Sequence, residues 1–188
     1  MAIIILIDDY SAKSSKVSPK MIKQLSLEFI EQGKEVIIVA PNEASDANKL
    51  EISKDGPITV WHFKSGPLKN IPHIQRGINE SLLPFRGWRA IKKEITKINV
   101  EGVVFYSPSI FLGPLARKII SMTKAPSYMI LRDFFPQWLI DIGMIKENSL
   151  FARYFKFVEK ISYKAADTIG VMSPNNLTLF EKLHPDFS

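Results

Sequence analysis

Short apolar runs rich in branched side chains recur along this chain, and segments with helical spacing separate them. Ile3–Ile7 and Val36–Ala40 are continuous runs of this kind, which are typical of parallel strands buried on both faces. Further strands are predicted at 58–63, 102–106, 127–131 and 168–172. Because strands that alternate with helices build a parallel sheet, the pattern predicts an α/β fold with about six strands.

The predicted helices have recognisable ends. Ser18 and Pro19 are expected to cap and begin the first helix, and Gly33 is expected to end it. Ser173 followed by proline repeats the start signal before a last helix that reaches Leu183. Residues 1–184 are therefore expected to form one doubly wound, Rossmann-like domain, and 185–188 are predicted to begin a linker.

Two stretches are predicted to lack long regular structure. The polar segment Asn42–Gly56 is expected to be a loop. Three prolines and a glycine should break any long helix between Gly66 and Pro84, which leaves a short helix at 74–83 and a separate helix at 86–98.

Parallel sheets bind ligands at the carboxyl ends of their strands, close to the point where the strand order reverses. This rule selects four loops as the candidate site: Asp8–Lys16, Tyr106–Ser109, Arg132–Pro136 and Ser173–Asn176.

Several function classes are disfavoured by what the sequence lacks. No glycine-rich dinucleotide or Walker A sequence is present, and no G-x-S-x-G elbow. The chain has no cysteine, and its three histidines show no spacing suited to a metal, so no metal site and no cofactor are expected. No apolar run is long enough to span a membrane and no signal peptide is recognisable, so a cytoplasmic protein is expected.

Basic residues are concentrated in one segment. The chain carries a net charge of +6, and between Trp61 and Ile98 there are eight bases but only two acids, interleaved with Phe63, Phe85 and Trp88. This local excess indicates an anionic partner, which at this point is phosphate, nucleic acid or a membrane surface.

Two of the candidate loops have unusual compositions. The first combines Asp8 and Asp9 with hydroxyls and lysines ahead of a helix N-terminus, which fits an anion site and fits a solvated, capped loop equally well. The run from Leu131 to Trp138 places an Arg–Asp pair directly after a buried strand and before aromatic residues. That pair is either a ligand-contacting group or a structural ion pair packed against aromatic rings.

The sequence also resembles a known family. The opening IIILIDDYS, the segment LSLEFIEQGKEVIIVAP, the run YMILRDFFPQWLIDIGMI and the segment FVEKISYKAADTIGVMSPNN are together similar to the N-terminal domain of GT-B glycosyltransferases of family 4. The RDFFP…LIDIG run is most similar to the branch that builds bacterial surface polysaccharides, including fucosamine-type transferases.

The resemblance implies an acceptor-binding domain of a retaining enzyme. Such an enzyme moves a sugar from a nucleotide-sugar to a lipid-linked (undecaprenyl-diphosphate) saccharide in O-antigen, capsule or exopolysaccharide synthesis, and needs no metal. The donor-binding C-terminal domain with its Glu-x7-Glu motif is not found in these 188 residues. This half alone is therefore expected to be inactive.

The resemblance also assigns roles to residues. Asp133 matches the catalytic acid, although the histidine that family members often carry before it is here Arg132. The acceptor is expected to contact residues of the four loops: Asp8, Asp9, Ser11, Lys13, Ser14, Lys16, Tyr106, Ser107, Arg132 and Ser173.

A peripheral location at the inner face of the plasma membrane is expected. Arg86, Trp88, Arg89, Lys92 and Lys93 would then contact anionic lipid and the lipid carrier. Two alternatives remain open from the residues alone: a stand-alone Rossmann-like module for an anionic ligand or partner, and a nucleic-acid binder, which no recognised motif supports.

Overall fold

The computed structural model describes residues 1–45, 50–107 and 109–187. Within them the sheet has seven strands in the order β3-β4-β2-β1-β5-β6-β7, and all neighbours are parallel except β3 and β4. The strands are β1 (Ala2–Leu6), β2 (Glu35–Asn42), β3 (Glu51–Asp55), β4 (Ile58–Lys64), β5 (Val100–Ser107), β6 (Ser127–Leu131) and β7 (Thr168–Val171).

Helices connect most of the parallel strands. They are α1 (Val17–Glu31), α2 (His73–Ile95), α3 (Gly113–Thr123), α4 (Gln137–Asp141), α5 (Leu150–Ala165) and α6 (Pro174–Leu183), with short 3-10 turns at Ile110–Leu112 and Pro185–Phe187. No helix in the described ranges is long and apolar enough to cross a membrane.

The sheet is buried on both faces, as the continuous apolar runs predict. Along β1, Ala2, Ile4 and Leu6 join a core cluster that α2, α3 and α5 cover. Ile3, Ile5 and Ile7 join the opposite cluster, where Ile22 of α1 packs. The α/β, doubly wound fold is therefore confirmed, and the order reverses between β1 and β5.

One strand was not expected. The segment 42–56, predicted as a loop, contains β3, which pairs antiparallel with β4 from Glu51 opposite His62 to Asp55 opposite Ile58. The first four residues of β3 are exposed, so the strand has none of the apolar alternation that identifies a half-buried strand. Backbone pairing at the sheet edge holds it, together with a Lys54 Nζ to Thr59 Oγ1 hydrogen bond of 2.7 Å. Residues 46–49 of the predicted loop lie outside the described residues.

The expected helix break at Pro84 is wrong, because α2 continues through it. An interior proline costs about 3 kcal/mol. However, α2 buries Leu83, Pro84, Gly87, Ile91 and Ile95 against the core. At about 2 kcal/mol for each large apolar side chain, this burial offsets the cost.

The helix ends differ in how they match the predictions. Ser173 caps α6 as expected, with its Oγ accepting from the Asn176 backbone N–H at 3.2 Å. Ser18 does not cap α1, which begins at Val17 with no side-chain cap among the described residues. The Ser18 hydroxyl instead contacts the Tyr106 hydroxyl of β5 at 3.1 Å. The residue predicted as a helix cap therefore makes a contact with the sheet.

The residues expected to begin a linker are folded against the domain as far as they are described. Pro185–Phe187 form a 3-10 turn, and the Phe187 ring packs edge-on to Tyr163 of α5 with centroids 5.7 Å apart. Ser188 lies outside the described residues.

Candidate functional site

A cleft of ≈ 1610 Å³ opens at the carboxyl ends of the strands. Each of the four predicted loops contributes to it, among others through Asp8, Ser109, Arg132 and Asn176. Of the second loop, Pro108 lies outside the described residues. The cleft follows from the topology, because the reversal of strand order between β1 and β5 separates the connections that leave these strands.

Asp8 and Asp9, at the end of β1, have opposite electrostatic environments. Burial raises the pKa of Asp8, its own backbone N–H opposes that rise, and the nearby Asp9 adds to it. Burial also acts to raise the pKa of Asp9, but Lys16 and Lys69 outweigh it and lower the pKa overall. Two adjacent carboxyl groups with diverging pKa values can divide roles between a proton donor and a permanent anion.

The Asp9 carboxylate joins two walls of the cleft. Its Oδ2 accepts from Nζ of Lys16 in the first loop and, at 3.5 Å, from Nζ of Lys69, which follows β4. Both lysines are more than half exposed at the side chain, so their attraction to Asp9 adds little stability. An anionic ligand can therefore compete with Asp9 for the two lysines at small cost.

The guanidinium of Arg132 lines the cleft and is held by hydrogen bonds to side chains of β5 and α1. Its Nη1 donates to the Tyr106 hydroxyl of β5 at 2.9 Å and approaches Ser18 Oγ of α1 at 3.4 Å. The hydrogen bond with Tyr106 is the largest cause of a raised pKa for Arg132, so this side chain is a permanent cation of the cleft. Tyr106 is fully buried and acts through Arg132, not by lining the cleft itself.

Asp133 lines the cleft and is exposed. The aromatic residues after it serve both the cleft and the core: Phe135, Trp138 and Phe134 line the cleft, while Phe135 also packs on Phe155 of α5 with centroids 5.1 Å apart. This stretch can therefore both contact a ligand and pack structurally against aromatic rings, the two roles that the sequence left open.

Some expected acceptor residues lie away from the cleft wall. Asp8, Asp9, Ser11, Lys16 and Arg132 line it, whereas Lys13, Ser14, Tyr106, Ser107 and Ser173 do not. Ser14 Oγ accepts from the Lys16 backbone N–H at 3.3 Å, and Ser173 is occupied as a helix cap. Ser107 is buried at the end of β5, where its carbonyl accepts from the Arg132 backbone N–H at 3.3 Å.

The residues proposed for membrane contact have unequal exposure. Arg86 is committed inside the protein, since its Nη1 donates to the Ser65 carbonyl and approaches Asn79 Oδ1 at 3.5 Å. Trp88 is half-buried and packs against the core. Arg89, Lys92 and Lys93 are exposed. None of the five lines the cleft.

Sequence reasoning missed a group of cleft residues that lie among the last residues of β2 and β4 or follow β4. They are Asn42, His62, Lys69, His73, Arg76 and Glu80. Arg76 Nε donates to Glu80 Oε1 at 2.9 Å, and the charge of Glu80 helps to raise the pKa of Asp8. Applying the carboxyl-end rule to every parallel strand, instead of to four loops, would have identified this side of the cleft.

No group of three or more His, Cys, Asp or Glu residues suited to a metal ion occurs in the part of the chain that the structure describes. What the cleft offers instead is a mixed set of cations and carboxylates beside aromatic rings. Such a set can bind a sugar through its hydroxyls and an anionic group through Lys16, Lys69 and Arg132.

Comparison with known proteins shows similarity at the level of fold. No family model matches the chain, and neither does any curated protein. Solved GT-B glycosyltransferases share the fold. One is the E. coli trehalose-6-phosphate protein bound with UDP-2-fluoro glucose, with a TM-score of 0.65 and 9% identity over 100% of this chain and 43% of that chain. Another is the UDP-forming trehalose-phosphate synthase of Burkholderia vietnamiensis, with a TM-score of 0.58 and 10% identity over 98% of this chain and 42% of that chain.

Arabidopsis thaliana UGT89C1 complexed with UDP-L-rhamnose is a further neighbour, with a TM-score of 0.53 and 12% identity over 99% of this chain and 44% of that chain. The chain thus spans less than half the length of the structures it matches. This agrees with the expected half of a GT-B architecture.

Proposed function

We propose that this chain is the acceptor-binding half of a retaining GT-B glycosyltransferase of family 4. The complete enzyme moves a sugar from a nucleotide-sugar to a lipid-linked (undecaprenyl-diphosphate) saccharide at the inner membrane surface, in bacterial surface-polysaccharide synthesis. The observation that carries the proposal is the cleft at the reversal point of a sheet whose fold is shared with GT-B glycosyltransferases over essentially the whole chain.

The charges in the cleft suit a diphosphate-linked sugar. Lys16, Lys69 and Arg132 supply cations for the diphosphate, and the cleft carboxylates accept hydrogen bonds from sugar hydroxyls. Asp133 is the residue we assign to the reacting acceptor hydroxyl, because it is exposed on the cleft just beyond the carboxyl end of β6. The enzyme would act mostly by positioning both substrates and by stabilising the leaving diphosphate electrostatically.

The test uses the complete gene product with a panel of radiolabelled nucleotide-sugars and membrane lipids from the source organism. We expect label in the organic extract for one donor, and at least about a tenfold lower rate for Asp133→Asn, as is typical when a positioned proton acceptor is lost. Asp186→Asn is the matched control, because Asp186 is exposed and does not line the cleft.

Two results would count against the proposal. Transfer by Asp133→Asn at the wild-type rate would make Asp133 a structural residue. Absence of transfer with every donor, while this chain still binds a short-chain polyprenyl diphosphate, would favour the stand-alone binding module instead.

A further inference from the structure

The positive charge of the chain lies on one face of the sheet. Helix α2 carries five bases and two acids, α5 carries four bases and one acid, and α3 carries two bases and no acid. Their combined net charge of +8 exceeds the +6 of the entire chain. Helix α1 on the opposite face carries two bases and two acids and is neutral. The two faces of the domain are therefore electrostatically different.

Large apolar side chains are exposed on the same charged face. On α2 they lie at intervals of four, four and three residues, which places them along one side of the helix. We call the following residues the apolar band: Ile74, Ile78, Leu82 and Phe85 of α2, and Leu150, Phe151, Tyr154 and Phe157 of α5. Their exposure runs from 38% at Leu82 to 81% at Leu150.

The two halves of the apolar band adjoin one another. The Tyr154 hydroxyl of α5 donates to Ser81 Oγ of α2 at 2.8 Å, so the two helices touch at this point, although α3 packs between them along most of their length. Phe85 has a cation beside it, since Nζ of Lys118 lies 5.2 Å from its ring centroid. Arg89, Lys92, Lys93 and Arg153 are exposed on the same helices. The apolar band is thus accompanied by bases.

The apolar band and the cleft share helix α2. His73, Arg76, Glu80 and Leu83 of this helix line the cleft. The helical period places the apolar residues of α2 on the opposite, outward side, away from the residues that α2 buries in the core. The apolar band of α2 therefore faces away from both the sheet and the cleft.

We infer that the apolar band enters the hydrocarbon boundary of an anionic lipid bilayer, with the flanking bases on its headgroups. Aliphatic side chains gain nothing from contact with a nucleic-acid phosphate, whereas their transfer from water into the hydrocarbon of a bilayer is favourable. Soluble monomers rarely expose a contiguous apolar patch of this kind without a partner. The charge complementarity selects acidic lipid over zwitterionic lipid.

This inference deepens the proposed function, on which its link to an acceptor rests. It also relocates the membrane contact that the sequence predicted. Arg86 and Trp88 are engaged within the protein, so the side chains that enter lipid are their neighbours Phe85 and Leu82 and those of α5.

The experiment is vesicle flotation with the 188-residue chain, using phosphatidylcholine alone and phosphatidylcholine with phosphatidylglycerol. We expect binding to the anionic vesicles, and at least about tenfold weaker binding for the double variant Ile78→Ser, Phe85→Ser, because two large side chains lose their transfer into hydrocarbon. Lys92→Gln with Lys93→Gln should also weaken binding, and should remove part of its salt dependence.

Ile52→Ser is the matched control. Ile52 is 56% exposed and Ile78 57%, but Ile52 lies on the edge strand β3, at the opposite end of the sheet from β7. Its variant should bind vesicles like the wild type. Circular dichroism establishes that each variant is folded.

Three outcomes would overturn the inference: no flotation of the wild-type chain, equal loss for Ile52→Ser, or a wild-type dimer in sedimentation that the apolar-band variant alone dissociates. The last would make the apolar band an interface between two copies. Transfer to a water-soluble acceptor analogue by the complete gene product tests the proposed function separately, so failure of one does not imply failure of the other.

Discussion

The Tyr106 hydroxyl of β5 lies 2.9 Å from Nη1 of Arg132, the first residue after the neighbouring strand β6, and of the two only Arg132 lines the cleft. Tyr106 is thus a positioning residue. Its hydroxyl fixes one of the three cations that we assign to the acceptor diphosphate.

Tyr106→Phe should weaken binding of a short-chain polyprenyl diphosphate by roughly two- to tenfold, because one hydrogen bond is worth about 1 kcal/mol. Isothermal titration of this chain measures the effect. Tyr128→Phe, on the exposed side of β6, should leave the affinity unchanged. Equal affinities for Tyr106→Phe and the wild type would show that Arg132 is held in place without the Tyr106 hydroxyl.

A second prediction concerns the anchor between the first loop and the β3–β4 hairpin. The Tyr10 hydroxyl donates to Asp55 Oδ2 at 2.8 Å, and Lys23 Nζ donates to Oδ1 at 2.7 Å. Asp55→Ala should lower the free energy of unfolding by about 1–3 kcal/mol, because it leaves the mostly buried Tyr10 hydroxyl without its acceptor. Ser53→Ala, exposed on the same strand, should change it by less than about 0.5 kcal/mol. Urea denaturation distinguishes the two, and similar values would mean that the anchor contributes nothing.

A third prediction concerns the close approach of α3 and α5. A Cβ added at Gly113 would lie 2.6 Å from the backbone Cα of Ser162, which a side-chain rotation cannot relieve. Gly113→Ala should therefore destabilise the protein by about 3 kcal/mol or more.

The control for that substitution is Gly77→Ala in α2, where nothing lies within 4 Å of the added Cβ. It should stabilise the protein by about 0.5–1 kcal/mol through helix propensity. Thermal unfolding of both variants should shift in opposite directions. A shift in the same direction would contradict the packing argument.

A fourth prediction concerns pH. Burial raises the pKa of Glu159 to about 7, against the favourable hydrogen bond from the Tyr163 hydroxyl at 2.8 Å. Because the folded state holds this proton more tightly than the unfolded chain, the contribution of Glu159 to stability is fully present below about pH 4.5 and is lost as the pH rises through about 7. The loss amounts to about 3 kcal/mol at 1.4 kcal/mol for each pKa unit.

Urea unfolding of wild type and Glu159→Gln from pH 5 to pH 8 measures this contribution as the difference between the two curves. The free energy of unfolding of Glu159→Gln should rise relative to that of the wild type as the pH increases. His184 Nε2 lies 3.8 Å from Glu159 Oε1, and the charge of Lys156 acts against the rise in the pKa of Glu159. Burial lowers the pKa of His184, so its protonation costs stability only at low pH, in the opposite direction. Parallel curves would contradict the assignment to Glu159.

The sequence predicted those elements of the fold that can be recognised from the residues of a single segment. β1 was recognisable because IIILI is apolar on both faces. Asp8, Asp9 and Arg132 could be placed on the cleft because each comes within three residues of the end of a buried strand. β3 was not predictable in this way, and the cleft residues around the ends of β2 and β4 were missed because the carboxyl-end rule was applied to four loops only. β3 depends on its pairing with β4. Arg76 and Glu80 line the cleft from the first turns of α2, which follow β4, and β4 was not among the strands whose ends were searched for a site.

Ser18 and Arg132 are 114 residues apart in the sequence and meet at Tyr106 only when the sheet has formed. No isolated segment of the chain holds this network, so a ligand that engages it binds the folded state alone. Such a ligand raises the free energy of unfolding by about 2.7 kcal/mol at a hundred times its Kd. A shift in melting temperature therefore reports binding to this network directly. Libraries of diphosphates and saccharides can be screened by thermal shift before any turnover is measured.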